Sequence, residues 1–302
     1  MIQNQEFIEK IKTRGFKNLK IHEVYSNTIL ETEVTNYLKK QNYLQFSKIE
    51  KILKNQFILK YPYGYAMKNP QNDIVGFMGA IFSIKKHGEK KLTYCNIHTW
   101  IVDNQYRLNS FLLLTPLLEK EIVLTAFTPV KSLVGLLEKF GFKKIKMQYR
   151  ITFLFDFLKF KKTNEFKIER DNLAIRKILN KSDLEIYENY INLPYEKFTI
   201  IKNNDSSKYI FVIASKVKKK VFQVLNLFYV SDNVEMKKNW NSIKAKISKE
   251  FNLNFCGQYF FNEFFGSLPN NLFISKNVEK NVCIKNLDDP NKLDILYSDL
   301  IG

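Results

Sequence analysis

VDNQYRLNSFL, residues 102–112, is the stretch on which the fold of this chain turns. It stands between a run with the period-two alternation of a β-strand, ending at Val102, and a leucine-rich run with helical spacing over residues 109–120. A single arginine, Arg107, sits at the mouth of that helix in a chain that otherwise carries its positive charge almost entirely on lysine. Pro116 falls inside the helical run and should kink it or end it early, because proline removes a backbone donor and its ring crowds the preceding turn.

Upstream, LKIHEVY (19–25) reads as a short strand, and ILETEVTNYLKKQNYLQFSKIEKIL (29–53) has apolar residues at helical spacing, as two helices. The period then changes to two. Three strand-like runs follow, near 64–68, 73–84 and 91–102, separated by the turn signals NPQND and KKHGEK. Downstream come a strand in EIVLTAF (121–127), a helix at 130–140 and a strand in KKIKMQYRITFLF (143–155). That helix is punctuated at both ends, with Thr128 as N-cap, Pro129 at the first helical position and Gly141 just past the last turn.

The order β-α-β-β-β-α-β-α-β, with LLEKFGFKKI (136–145) closing the last helix and entering the last strand, resembles the GNAT superfamily of N-acetyltransferases over roughly residues 19–155. In that family the fourth strand ends in a Val-x-Pro-x-x-Arg-like stretch, followed by a pyrophosphate-binding turn, Q/R-x-x-G-x-G/A. Val102 opens the matching stretch here, with Arg107 on the first position of the turn motif, Ser110 on the first glycine and Leu112 on the Gly/Ala position. The resemblance implies a mixed α/β sheet of the acyl-CoA N-acyltransferase kind, with acetyl-CoA or another acyl-CoA as cosubstrate. It also implies a cofactor site built from Val102, Arg107, Leu108, Asn109, Ser110, Phe111 and Leu112. Backbone N–H groups of a turn entering a helix converge on a diphosphate, and the helix dipole favours negative charge there. Ser110 is small and brings a hydroxyl as well as its N–H, whereas Leu112 must turn its side chain into the core to leave the backbone accessible.

The family's base, a glutamate on the fourth strand, is matched by Asn96, which cannot take up a proton. His98 is the candidate base: by alternation it shares a strand face with Tyr94, Asn96 and Trp100, and an ordinary imidazole pKa of about 6.5 suits the task. The alternative is a strand histidine hydrogen-bonded within the sheet. Leu137 stands where the family places its tyrosine acid, and Val130 where an asparagine is often found. Cys95 points to the opposite face and reads as core.

The whole chain sets the bounds. At 302 residues with 45% hydrophobic content it suffices for one large domain or two ordinary ones. The net charge of +18 invites a nucleic-acid partner, but five of the 48 basic residues are arginine and the other 43 are lysines spread along the length, with KVKKK (216–220) the one dense run. That pattern argues against nucleic acid and remains compatible with an anionic small ligand. The first twenty residues hold no apolar leader, and ITFLFDFLKF is too short and too charged to span a bilayer, so a cytoplasmic protein without a membrane span is expected. Cys95, Cys256 and Cys283 fit neither a disulfide framework nor a paired metal site; no metal is expected.

Beyond residue 158 the pattern begins again. FKIER (166–170) is a possible strand, SDLEIYENYINL (182–193) a helix, KYIFVIASKVKKKVFQVLNLFYVSD (208–232) a hairpin, MKKNWNSIKAKISKEF (236–251) an amphipathic helix and LNFCGQYFF (253–261) a strand. FYVSDN (228–233) takes the place of WIVDNQ, without the arginine or the glycines. This succession resembles a second, degenerate GNAT-like domain over about 160–302; an unrelated α/β appendage is the alternative. The expectation is therefore a tandem pair, residues 1–158 and 159–302. Its function would be acyl-CoA-dependent N-acylation of an amine on a small molecule such as an amino sugar, or, alternatively, that of a catalytically inactive GNAT-fold binding or scaffold protein.

Overall fold

The computed structural model describes residues 18–41, 57, 58, 60–87, 90–127, 129–154, 165–203, 205–219, 222–261, 276–287, 289, 293, 295 and 296. The first half contributes β1 (Lys20–Val24), α1 (Ile29–Lys39), β2 (Gly64–Lys68), β3 (Ile74–His87) and β4 (Lys90–Val102). A 3-10 helix (Asn104–Leu114), α2 (Thr115–Leu118), β5 (Val123–Ala126), α3 (Lys131–Lys139) and β6 (Lys143–Phe153) follow. The second half contributes β7 (Phe166–Glu169), α4 (Asn172–Ile178), α5 (Lys181–Tyr190), β8 (Glu196–Lys202), β9 (Asp205–Lys219) and β10 (Phe222–Val230). It continues through α6 (Asn233–Lys238), α7 (Trp240–Phe251), β11 (Phe255–Phe260) and β12 (Lys276–Lys285).

These strands form one sheet in the order β1-β2-β3-β4-β5-β12-β6-β11-β10-β9-β8-β7. Exchanging β1–β6 with β7–β12 leaves the order unchanged. β4 runs parallel to β5, and β10 parallel to β11. At the centre each half's sixth strand lies beside the other half's fifth: Cys283 of β12 pairs with Ala126 of β5, and Thr152 of β6 pairs with Cys256 of β11. β12 and β6 also pair with each other along nine positions, Lys276↔Ile151 to Ile284↔Lys143. Side chains reinforce the exchange, since Lys285 Nζ donates to the Phe140 carbonyl at the end of α3 and Asn286 Nδ2 to the Ile122 carbonyl.

One face of the first half packs Met78, Ala80, Phe82, Cys95 and Ile97 against Leu113, Leu114, Leu117 and Leu137 of the helices that follow β4 and β5. Burial of each such aliphatic side chain is worth about 1.5–3 kcal/mol, which fixes those helices on the sheet. The other face, across the centre, buries Tyr94, Val123 and Phe127 with Tyr187 and Tyr190 of α5 and with Leu293, Ile295 and Leu296.

The local expectations fare unevenly, each for a physical reason. The helix expected at 109–120 is a 3-10 helix from Asn104 joined to a four-residue α-helix, with Pro116 in the first turn of the latter. Proline has no N–H to offer, and the Thr115 N–H and hydroxyl (2.8 Å) both turn back to the Leu112 carbonyl instead. The following helix begins at Lys131 with Val130 as N-cap, two residues after the cap expected at Thr128, which lies outside the described residues. Its far end follows expectation: Gly141 has φ 81°, and the Phe142 N–H reaches the Leu137 carbonyl (3.1 Å) while the Gly141 N–H reaches that of Glu138 (3.0 Å). The expected single helix at 236–251 is broken at Asn239 into α6 and α7. Residues 42–53 and the 158/159 boundary lie outside the described residues.

Candidate functional site

β4 and β5 pair only at Tyr94↔Val123, Cys95↔Leu124 and Asn96↔Thr125. Beyond Asn96 the strand runs on to Val102 without that neighbour, so a notch opens between the two strands. Two features produce it. β5 is only four residues long, and β4 carries a bulge: His98 pairs with Gly79 and Ile101 with Phe77, so three steps along β4 match two along β3. Thr99 absorbs the irregularity with φ 46°, a costly conformation for a β-branched residue.

The bulge corrects the expected strand faces. A one-residue insertion flips every side chain after it; Trp100 therefore packs with the helix-covered cluster, opposite His98, and Ile101 takes the face of Phe77 and α1. Tyr94, Asn96 and His98 keep a common face. Asn96 Nδ2 donates to the Thr125 carbonyl (3.2 Å), tying the strands together where the notch begins. Cys95 is buried against Leu124 on the other face, where burial pushes its thiol up and leaves it unreactive.

His98 is 6% exposed. Its ring lies against the backbone of Gly79, where an added Cβ would strike the imidazole. Nδ1 is 2.9 Å from Thr99 Oγ1. Desolvation pushes its pKa down to about 4, so the imidazole is neutral at physiological pH instead of half-titrated near 6.5.

At the open end of the notch stand two helix N-termini, of the 3-10 helix and of α3. Neither N-cap side chain, Asp103 or Val130, accepts a hydrogen bond from the helix it opens, and neither first turn contains an acid. The Asp103 carboxylate is turned toward α1, where Tyr37 donates to it (3.0 Å). Arg107 is exposed, and Lys131 begins α3. Among the other cofactor candidates, Leu108 is 90% exposed, Asn109 and Ser110 are half-buried, and Val102, Phe111 and Leu112 pack against the helix-covered core. Leu112 thus turns inward. The 3-10 ladder uses amides from residue 106 onward for its own i→i−3 bonds, with the Tyr106 N–H reaching the Asp103 carbonyl (2.9 Å), and leaves only the start of the first turn with donors to spare.

The second half has a corresponding notch, where β10 pairs with β11 from Leu225↔Cys256 to Leu227↔Gln258 and then bulges at Phe228. Its interior is filled: Tyr149 of β6 donates its hydroxyl to Asn226 Oδ1 (2.5 Å), and Gly257 is required there because any Cβ would strike both groups. Its mouth is acidic. Asp232 caps α6 by accepting from the Glu235 N–H (2.8 Å), and both line a cleft of about 420 Å³ with Asp183, Lys202 and Lys208. Asp183 is buried and accepts from the Tyr209 (2.8 Å) and Tyr229 (2.7 Å) hydroxyls.

No protein-family model and no curated protein matches the chain. Solved structures do. A GCN5-related N-acetyltransferase from Kribbella flavida superposes with a TM-score of 0.60 at 10% identity, over 91% of this chain and 72% of that one. One from Anabaena variabilis gives 0.58 at 10% identity, over 88% and 72%. A GCN5-related glucosamine N-acetyltransferase region of a fungal multi-domain GH3 β-N-acetylglucosaminidase gives 0.56 at 12% identity, over 88% of this chain and 38% of that one. The chain has the GNAT fold, in a large mixed α/β sheet.

Proposed function

We propose that this GNAT-fold protein is an acyl-CoA-dependent N-acyltransferase acting on the amine of a small molecule, the reading that the fungal glucosamine N-acetyltransferase region also favours. The carrying observation is the β4/β5 notch, which opens onto two helix N-termini with no first-turn acid and with Arg107 and Lys131 beside them. An elongated ligand with an anionic head fits that shape: diphosphate at the mouth near Val102, Arg107, Leu108, Asn109 and Ser110, pantetheine between the strands, thioester near Asn96.

In the reaction, the neutral amine attacks the thioester carbonyl, the nitrogen–carbon bond forms, and the carbon–sulfur bond breaks to release the CoA thiolate, which takes up a proton. His98 is the proposed acceptor of the amine's proton. For that role Nδ1 carries the ring proton and donates to Thr99 Oγ1, leaving the Nε2 lone pair available. A lowered pKa makes His98 a weaker base but keeps it unprotonated. β4 amides freed by the bulge and the absent neighbour are suited to polarise the carbonyl.

The palindromic strand order favours reading residues 1–158 and 159–302 as a tandem pair whose second member walls the acceptor side. Among the described residues no helix is long and apolar enough to cross a membrane, and the three buried, unpaired cysteines suit a cytoplasmic setting. A second reading, a binding or scaffold protein without turnover, draws on Asn96 and Leu137 at the family's base and acid positions. Thermal stability with acetyl-CoA tests the reading: a ligand at 100 times its dissociation constant adds about 2.7 kcal/mol. No shift with either acetyl-CoA or CoA would overturn it.

A further inference from the structure

The second half's notch is plugged, but the same half is open on the other side of its central strand. In the strand order β9 and β10 hold the places that β3 and β4 hold in the first half. Each pair ends alike: the Asp103 N–H reaches the Val75 carbonyl beyond β4, and the Ser231 N–H reaches the Phe211 carbonyl beyond β10 (2.9 Å in both). In the first half Tyr37 of α1 settles on that spot, buried, with its hydroxyl donating to Asp103 and toward the Val75 carbonyl. In the second half the residues around the spot, Tyr209, Ile210, Ser231 and Asp232, line the cleft of about 420 Å³ instead. That volume falls within the ~300–1,000 Å³ usual for a small-molecule site.

The charges lining this cleft are sorted by element. Its carboxylates come from the helical side, Asp183 from α5, with Asp232 and Glu235 at the start of α6. Its ammonium groups come from the β8–β9 hairpin, Lys202 ending β8 and Lys208 lying in β9, and its apolar lining is Phe166, Ile200 and Ile210. Among the described residues none of the three carboxylates is in an ion pair. Neutral donors hold them in place. Asp183, 4% exposed, accepts from the Tyr209 and Tyr229 hydroxyls and from Asn180 Nδ2 (3.2 Å). Asp232 accepts from the Glu235 N–H, and the Glu235 carboxylate from Asn239 Nδ2 (2.7 Å). Hydroxyls and amides fix where these carboxylates sit without cancelling their charge, and a buried carboxylate without a cation is costly unless something supplies one.

We propose that this cleft binds a small zwitterion, with an ammonium at one end and a carboxylate at the other. The ammonium lies against Asp183, Asp232 and Glu235, and the carboxylate against Lys202 and Lys208. A ligand with two cationic ends would meet the lysines with like charge, and one with two anionic ends would meet the carboxylates, so the sorted lining selects both charges on one molecule. The site goes beyond the acyltransferase reading and requires no CoA. It gives the half whose notch is plugged a ligand of its own.

The test titrates the full chain with three four-carbon molecules of matched length, 4-aminobutyrate, putrescine and succinate, up to about 10 mM by ligand-observed NMR, a range that includes weak ligands. 4-Aminobutyrate should bind at least tenfold more tightly than either of the others. Glu235→Gln removes a negative charge but keeps an acceptor for Asn239, and Lys202→Met removes a positive one. Each should weaken 4-aminobutyrate by about tenfold with the melting temperature unchanged, because one charge-assisted contact is lost. Binding of acetyl-CoA should be the same in both variants as in wild type, which keeps the two readings separable. A preference for putrescine or succinate, no saturable binding of 4-aminobutyrate, or unchanged affinity in both variants would overturn the inference and leave the acyltransferase reading standing.

Discussion

At the end of β4 the chain enters a helical turn that has no first-turn acid, and Arg107 stands beside it; at the end of β10 it enters α6 through Asp232, with Glu235 in the first turn. Shape is shared, because both central strands bulge and both part from a parallel neighbour after three paired positions. Charge differs, and so does the contact at each central asparagine. Asn96 ties the first pair of strands through the Thr125 carbonyl, whereas Asn226 in the second accepts from the Tyr149 hydroxyl. Backbone geometry alone therefore does not set the charge of such a mouth; a helix N-terminus favours an anion most where no side chain has already neutralised it. The two halves teach this in one molecule, on one sheet.

The comparison breaks most severely if the halves are separable. Deleting residues 276–302 removes β12 from between β5 and β6 and leaves the short edge of β5 and the long edge of β6 unpaired at the centre of the sheet. Loss of cooperative unfolding by circular dichroism is expected for the whole chain, not for its second half alone. A truncated protein that melts with one half intact would show that the exchange is dispensable.

Next in size is His98. His98→Ala should lower kcat/KM by roughly 10²- to 10⁴-fold while CoA still binds. Because the base works when neutral, wild-type activity should fall only as pH drops through about 4, not through 6.5. The same shift bears on stability. Protonation disfavours the folded state here, so the contribution of neutral His98 is complete above about 6.5 and is lost as pH falls to about 4, worth ~3 kcal/mol at most. An acid limb near 6.5 in rate, with no change on His98→Ala, would remove it from the chemistry.

A smaller effect is expected at the first mouth. Arg107→Glu should weaken CoA binding about 10- to 100-fold with melting temperature unchanged, since a charge-assisted contact is replaced by repulsion. Unchanged affinity would place the diphosphate elsewhere. The smallest concerns the second mouth, where Asp232→Ala should cost about 1 kcal/mol of stability through the lost cap and leave CoA affinity untouched. A gain in affinity there would show that both mouths can serve.

Much of this was legible in the residues. Alternation over 64–102, the Gly141 stop and the Arg107 turn pointed to the fold because period and punctuation are local properties of a chain. β8 (EKFTIIK) and β12 (KNVEKNVCIK) were missed for opposite reasons. The first follows directly on the loop after α5, with charged residues at both ends, Glu196, Lys197 and Lys202. The second carries lysines, asparagine and glutamate, and only Val282, Cys283 and Ile284 of its described residues are deeply buried. Its strand character comes from pairing with β5 and β6 on both sides, which no window of sequence contains.

By itself, then, the sequence determined which segments form strands and helices over most of the first half, where the arginine-bearing turn falls, and that Cys95 and His98 point to opposite faces. Those follow from backbone periodicity and turn chemistry, which act over a few residues. Only the tertiary structure decided that the bulge at Thr99 sends Trp100 away from His98, that burial holds that imidazole neutral with a pKa of about 4, and that Leu293 and Leu296 are buried in one cluster with Tyr94 and Phe127. A bulge, a desolvation cost and a shared cluster each depend on what distant chain brings alongside, so they come into existence only when the sheet is assembled.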